Sequence, residues 1–248
     1  DTFDNRGRLS STGDLGGYLQ KLTYSDPSTP ASIAPSGGLL IAVTDSFGQM
    51  LQFTYDAQGR ISTLKDPTGK LYQYTYDANN NLVAVTYPDQ VTRQYLYENP
   101  VYKDALTGIV DENGQRFATW SYDAKGRAIS SEHGGGAERV TQSYIVTSIF
   151  KGSSVAYITG ATVTDPLGTT YTHGFQTVQG VTRAMSLDQP GGSGCGPASS
   201  RITYDSNGNV ASRTDFNGNQ TTYEYDLPRN LETKRVEAFG QPEARKIG

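Results

Sequence analysis

The sequence predicts an all-β protein, a meander of consecutive antiparallel β-hairpins forming one long curled sheet. Three observations predict it. A unit of about twenty residues recurs along the chain, two kinds of turn alternate within each unit, and the residues between turns alternate in polarity. Composition agrees: the 248 residues include 28 Gly and 17 Tyr but only two Met and one Trp, a bias toward turns and strands. Counting Gly in place of Tyr, apolar residues reach about 40%, below the ~45–50% of ordinary globular domains. A thick central core is therefore not expected, and helix content should be very low.

Taken in order, Phe3-Asp4-Asn5-Arg6-Gly7-Arg8 opens the chain as a variant of the unit. Residues 10–38 contain Pro27, Pro30 and Pro35 among many Ser and Gly, which predicts an irregular connection with one strand around Leu19 to Tyr24. The repeat is clearest over 40–130. Thr54-Tyr55-Asp56-Ala57-Gln58-Gly59-Arg60 returns 21 residues later as Thr75-Tyr76-Asp77-Ala78-Asn79-Asn80-Asn81, then as Leu96-Tyr97-Glu98-Asn99 and Ser121-Tyr122-Asp123-Ala124-Lys125-Gly126-Arg127. Residues 140–187 are a degenerate stretch in which Val155–Val163 and Thr169–Val181 still look like strands, with Phe175-Gln176 in place of Tyr-Asp. Residues 188–200, rich in Gly and Pro, form a second irregular connection. The repeat resumes over 201–236 with Thr203-Tyr204-Asp205-Ser206-Asn207-Gly208-Asn209 and Glu224-Tyr225-Asp226. The whole of 1–248 reads as a single array.

A second mark alternates with the Tyr-Asp turn. Asp45-Ser46-Phe47-Gly48, Asp66-Pro67-Thr68-Gly69, Asp111-Glu112-Asn113-Gly114, Asp165-Pro166-Leu167-Gly168 and Asp215-Phe216-Asn217-Gly218 fall ten or eleven residues before the next Tyr or its equivalent. Asp followed three residues later by Gly suits a hairpin loop in which Asp accepts backbone N–H bonds and Gly takes the left-handed position of a G1 bulge. Asn80 can stand in for Gly. Two departures predict altered turns: Pro88-Asp89-Gln90 has Gln where Gly is expected, and Asp226-Leu227-Pro228-Arg229 lacks Gly. Between turns, Leu51, Phe53 and Tyr55 share one face, as do Tyr72, Tyr74 and Tyr76, or Trp120 and Tyr122, while Ile61, Val83, Val85, Ile129 and Val210 populate the return strands. Turn spacing gives about sixteen to twenty strands, more than an open sheet holds without curling. The aromatic residues of successive repeats are expected to stack across strands. No cap is visible at either end, so the chain reads as a piece of a longer one, with edge strands open to self-association.

Charge and motif content exclude several functions. A net charge of −4 and pI near 5.2 lack the basic footprint that nucleic acid requires. No run approaches ~18 apolar residues, so no membrane-spanning helix is expected, and Asp1-Thr2-Phe3-Asp4 carries no secretion signal. The single Cys195 permits no internal disulfide. The carboxylates Asp56, Asp77, Asp123, Asp205 and Asp226 sit where turn caps belong, and Arg60 and Arg127 stand ready to pair with them. The calcium-like runs beginning at Asp205 and Asp215 lack the closing Glu of a calcium loop. Cys195, with His133 and His173 elsewhere, has no activating neighbours in sequence. No catalytic, metal or cofactor residues are assigned, and the protein reads as a non-enzyme. An exposed tyrosine stripe such as Tyr72 and Tyr74 supports an alternative, a surface adhesion or carbohydrate-binding module with glycans as partners.

The runs Gly48-x4-Phe53-x-Tyr55-Asp56-x-x-Gly59-Arg60-Ile61 and Gly69-x4-Tyr74-x-Tyr76-Asp77 resemble the YD repeat of the RHS family, which includes bacterial polymorphic-toxin carriers, the C components of insecticidal toxin complexes and the teneurins. The resemblance implies an arc of a hollow β-spiral shell that, in toxin members, encloses a C-terminal toxin domain. It also implies partners in that domain, in neighbouring YD repeats and in a secretion apparatus, and a secreted or cell-surface location. Asp165-Pro166-Leu167-Gly168 matches the Asp-Pro-x-Gly signature of the family's self-cleaving core, yet it is spaced like the other turns and lacks the surrounding core pattern.

Overall fold

The Asp-x-x-Gly segments close hairpins as their chemistry requires. At the Asp56 turn the Asp56 N–H donates to the Arg60 carbonyl at 2.8 Å and the Gly59 N–H to the Asp56 carbonyl at 3.0 Å. The Asp56 Oδ1 accepts the backbone N–H groups of Gln58 and Arg60 at 3.0 and 2.9 Å, and Gly59 takes φ +78°. The same pattern recurs at Asp4, Asp45, Asp66, Asp77, Asp111, Asp123, Asp165, Asp205 and Asp215. Asn80 does occupy the glycine position, at φ +68°.

The computed structural model describes residues 1–148 and 156–248, and the fold is all-β, with strands paired antiparallel to their sequence neighbours. Two units are distinguished, Asp1–Thr119 and Trp120–Gly248. The first holds β1 (Thr2–Phe3), β2 (Leu9–Gly13), β3 (Leu19–Tyr24), β4 (Leu40–Asp45), β5 (Met50–Tyr55), β6 (Ile61–Lys65), β7 (Leu71–Tyr76), β8 (Leu82–Thr86), β9 (Thr92–Leu96), β10 (Gly108–Val110) and the start of β11 (Arg116–Tyr122). Each pairs with the strand before it.

A register shift recurs where the strand meets the turn. Thr54 pairs with Thr63 but Tyr55 with Ile61, which leaves Ser62 as an extra residue. The Thr54 hydroxyl sits between the hydroxyls of Ser62 and Thr63, at 2.9 and 2.6 Å. Equivalent bulges fall at Thr75/Tyr76 and Thr23/Tyr24. The extra residue strengthens the local twist.

The irregular connection expected over 10–38 is narrower than its composition predicts. Ser10–Gly13 belong to β2, and Asp14-Leu15-Gly16-Gly17 is another capped turn, with Gly17 at φ +87°. Ser-Gly composition hid a strand whose hydroxyls bond across the pair, as Thr2 does with Ser10 and Ser11. The remaining loop, residues 25–39, is fastened by buried Ser25, whose hydroxyl donates to the Ser36 carbonyl at 2.7 Å and accepts the Leu39 N–H at 2.9 Å.

The second unit holds the end of β11, then β12 (Ala128–His133), a single 3-10 turn at Gly134–Gly136, β13 (Val140–Ser148), β14 (Ala156–Thr164), β15 (Thr170–Val178), β16 (Val181–Gln189), β17 (Ala198–Tyr204), β18 (Val210–Thr214), β19 (Gln220–Asp226), β20 (Leu231–Glu237) and β21 (Arg245–Ile247). Sequence neighbours from β12 onward pair antiparallel. Val155, the expected start of a strand, lies outside the described residues. The expected strand Thr169–Val181 is two strands: Gln179 and Gly180 take φ +49° and +78°, the two positive angles of a type I′ hairpin. The connection expected over 188–200 shrinks to residues 190–197, because Asp188 and Gln189 pair with Ser199 and Ala198.

Strand faces alternate as expected, with Tyr72, Tyr74 and Tyr76 half-buried and Leu71, Gln73 and Thr75 exposed. The buried apolar residues among those described are small: Ala34, Ala42, Val85, Ala118, Ala161 and Val236. Among the described residues no large side chain is fully buried, so apolar stabilisation is spread over many half-covered positions. Ring-to-ring contacts do occur, between Tyr18 and Phe47 and between Tyr72 and Tyr87, but the tyrosine of the Tyr-Asp pair meets aliphatic side chains. Tyr55, Tyr76 and Tyr204 face Ile61, Leu82 and Val210 across the ladder, because the Tyr-Asp strand and its aliphatic return strand alternate.

Candidate functional site

Three repeats place Arg directly after the turn glycine, and the strands give it two tasks. Arg8, Arg60 and Arg127 pair with their own turn carboxylates Asp4, Asp56 and Asp123 at 2.7, 2.7 and 2.6 Å. The same guanidinium groups lie over the rings of Tyr24, Tyr76 and Tyr144, at 4.3, 4.5 and 4.3 Å from the ring centres, within cation–π range. Each of those tyrosines donates its hydroxyl to the carbonyl of the residue that follows the Arg: Leu9 at 2.9 Å, Ile61 at 2.9 Å and Ala128 at 2.8 Å. The turn of one repeat is thereby bolted to the tyrosine of the next. Tyr55 makes the carbonyl bond without an Arg, to Leu40 at 2.6 Å, and Tyr204 makes it to Ala184 at 2.7 Å beside Arg183.

This fastening explains the carboxylate ladder. The Arg127 guanidinium, then the backbone N–H groups of Arg127 and Lys125, hold the Asp123 carboxyl at about 2. Where Asn follows the turn in place of Arg, at Asn81 and Asn209, its amide donates to the second oxygen of Asp77 or Asp205 at 2.9 and 3.1 Å. The carboxyls of Asp77, Asp205 and Asp215 all lie below the usual range, each accepting hydrogen bonds within its own turn. In the calcium-like runs the Asp205 carboxylate accepts the N–H groups of Asn207 and Asn209 and the Asp215 carboxylate those of Asn217 and Asn219, while the Asn207 amide donates to the Leu227 carbonyl and to Asn230. Asp226 closes a longer loop to Leu231, with Asn230 at φ +52° and Arg229 on its carboxylate. Asp165 caps an ordinary turn.

Cys195 is exposed in a tight loop closed by Gly192. His133 ends β12 with Glu138 at 3.3 Å, and His173 lies mid-strand in β15, opposite Ala161 and Leu187. These three residues sit on separate elements.

The first unit also carries a cleft of about 670 Å³ between turns at the ends of β6, β8 and β10, lined by Tyr72, Tyr87, Asp66, Lys70, Asp89 and Glu112 among others. Tyr72 and Tyr87 meet edge to face, 6.0 Å between ring centres at 79°. Glu112 pairs with Arg93 at 3.0 Å, and its own backbone N–H, followed by Arg93, keeps its carboxyl low. Burial pushes the Tyr87 phenol up. Of the expected pair Tyr72 and Tyr74, only Tyr72 lines this cleft; burial raises the Tyr74 phenol as well. The sequence signal overlooked was Tyr87, which stands where neighbouring turns have Asp.

Tandem hairpins fastened by a repeated Asp-Arg-Tyr arrangement define a β-hairpin repeat protein. The RHS Repeat family model matches residues 36–71, 62–92 and 204–241, so these stretches are RHS repeats. No curated protein matches the chain in sequence. The crystal structure of TcdB2-TccC3-Cdc42 matches with TM-score 0.56 at 14% identity, over 97% of this chain and 15% of that one. TcdB2-TccC3 without its hypervariable C-terminal region gives the same score and identity over 98% and 15%. The Photorhabdus luminescens Tc holotoxin pore gives 0.54 at 13% over 94% and 14%. At such identity the likeness shows the fold, and the chain spans about 15% of the length of those chains. Among the described residues no helix is long and apolar enough to cross a membrane.

Proposed function

We propose that this chain is a non-catalytic wall segment of an RHS-repeat shell that encapsulates a C-terminal toxin or effector domain and helps deliver it from a secreted or cell-surface protein. The observation that carries the reading is the Asp-Arg-Tyr fastening. At three repeats it joins a turn to the tyrosine of the next hairpin through partly buried groups, and such a wall resists opening locally because neighbouring hairpins hold one another. The likeness to TccC3-containing toxin complexes supports it, and so does the turn role of the carboxylates that would otherwise be candidates for catalysis. Enclosure is steric: a cargo kept from solvent is kept from proteases. The test is limited proteolysis of the parent chain carrying a labelled segment downstream of these repeats, in native and unfolded states. Survival of the segment only in the native state is expected. Equal digestion in both states would show an open ribbon and overturn the proposal.

A further inference from the structure

We propose that the turns at Asp14 and Asp45 form a docking surface for a basic amphipathic helix of a partner protein, a role that does not depend on the shell reading. In an antiparallel meander successive turns fall on alternate rims of the sheet. In the first unit the turns at Asp4, Asp56 and Asp77 share one rim, and those at Asp14, Asp45, Asp66 and Asp111 share the other. The two rims differ in charge. On the first, Arg8 and Arg60 pair with Asp4 and Asp56, and the Asn81 amide donates to Asp77. On the second, the carboxylates of Asp14 and Asp45 accept the backbone N–H groups of Gly16, Tyr18, Phe47 and Gln49 at 2.8–3.0 Å, and no cation pairs with either among the described residues.

The same two turns are apolar at their tips. The third turn position is polar at Gln58, Thr68, Asn79 and Asn113, but in the Asp45 turn it is Phe47, 80% exposed, and the Asp14 turn carries Leu15, fully exposed. Tyr18, Leu19 and Met50, next to them in sequence, are exposed as well. The Tyr18 and Phe47 rings lie 6.1 Å apart. The Ser46 hydroxyl accepts the Leu19 N–H at 2.6 Å and donates to the Leu19 carbonyl at 3.1 Å. That pair of bonds ties together two turns distant in sequence, so a partner meets the apolar cluster ready-made and bears no cost of ordering it. An exposed apolar cluster held in place marks an interaction surface.

Backbone and charge name the occupant. Strand addition is closed, because the turn N–H groups are already bonded: those of Asp14 and Asp45 to the Tyr18 and Gln49 carbonyls, those of Gly17 and Gly48 to the carbonyls of Asp14 and Asp45. Recognition therefore falls to side chains. One turn joins β2 to β3 and the other β4 to β5, a separation of two strand spacings or about 9.6 Å. Positions i and i+7 on one helix face stand ~10.5 Å apart, so apolar residues there meet Leu15 and Phe47 together. Residues 13–20 and 44–51, which build the surface, contain two acids and no base. The polar flanks of the matching helix are therefore Lys or Arg, and an acidic helix would meet Asp14 and Asp45 with like charge.

The test is fluorescence anisotropy on the full chain with a labelled leucine-lysine amphipathic helix of about 14 residues, and with the same peptide carrying Glu in place of Lys. Saturable binding of the lysine helix that weakens as salt rises is expected, with the glutamate helix weaker by about tenfold or more. Leu15→Gln/Phe47→Gln should lower affinity about tenfold or more and melt as the parent does, since both side chains are exposed at turn tips. Asp14→Asn/Asp45→Asn keeps an oxygen to cap each turn and removes the charge; it should weaken the lysine helix about threefold or more and flatten the salt dependence. Val101→Gln, which removes another exposed apolar side chain from the same unit, should bind as the parent does. Absence of binding, equal binding of the two helices, or unchanged affinity in the Leu15/Phe47 variant would each overturn the proposal. Self-association read by light scattering and abolished in that same variant would also overturn it, because the surface would then belong to a second copy of this chain.

Discussion

Tyr76 tests whether the fastening between repeats is made of two separable contacts. Tyr76→Phe removes only the hydroxyl that donates to the Ile61 carbonyl at 2.9 Å, and should destabilise the Asp56 and Asp77 hairpins by about 0.5–1.5 kcal/mol. Tyr76→Leu removes in addition the ring that lies 4.5 Å from the Arg60 guanidinium, for a further loss of about 0.5–1 kcal/mol. Each variant is then combined with Arg60→Met, which keeps an aliphatic stem and deletes the cation. Because Phe retains the ring, the Phe cycle should be additive to within about 0.3 kcal/mol. The Leu cycle should show a coupling of about 0.5–1 kcal/mol. The assay is native-state hydrogen exchange in increasing urea, followed by mass spectrometry on peptides covering residues 50–82, so the free energies belong to these hairpins rather than to either whole unit. Equal coupling in the two cycles, or none in the Leu cycle, would refute the assignment of the ring as the cation's partner.

Gly59→Val and Gly126→Val force a β-branched residue into φ +78° and +75° and should each lower local stability by about 1–3 kcal/mol; unchanged melting of both would reject the turn geometry. Asp123 has a folded pKa of about 2, below its unfolded value near 3.9. Its contribution is therefore fully present above about pH 5 and disappears as pH falls through 4 toward 2. Asp123→Asn should weaken the second unit at pH 7 and flatten its acid-unfolding profile, measured by thermal melting between pH 2 and 7; a profile as steep as the parent's counts against the carboxylate cap. A Cβ at Gly108 would lie 2.4 Å from the Arg116 guanidinium, which holds Glu98 through two bonds and the Thr107 carbonyl through another. Gly108→Ala should thus raise hydrogen exchange at the Glu98 N–H, which bonds to Thr107; protection equal to the parent's would show that Arg116 moves aside freely.

Local chemistry was legible because it is local. An Asp whose carboxylate caps N–H groups two and four residues on, and a Gly that must take positive φ, are fixed by a five-residue segment, so the hairpins and the half-buried faces could be read from spacing alone, while the expected sixteen to twenty strands fall short of the twenty-one among the described residues. The repeat read over 40–130 and 201–236 was legible for the same reason, and the family match overlaps it at 36–92 and 204–241. Composition misled where it overrode pattern: Ser10–Gly13 is a strand in spite of its Ser and Gly, and Gln179-Gly180 turns the chain within a stretch of strand formers.

Tertiary structure decided everything that joins residues about fifteen or more positions apart. Arg60 beside Asp56 is visible in sequence, but its place on Tyr76 depends on the register across β6 and β7 and on the bulge at Ser62. That register set Tyr24, Tyr76 and Tyr144 against arginine side chains, and Tyr55, Tyr76 and Tyr204 opposite aliphatic ones. In the same way, the meander brings the turns at Asp66, Tyr87 and Asp111 to one cleft. A side-chain period of two fixes which face a residue occupies; only the pairing of strands fixes which neighbours it meets there.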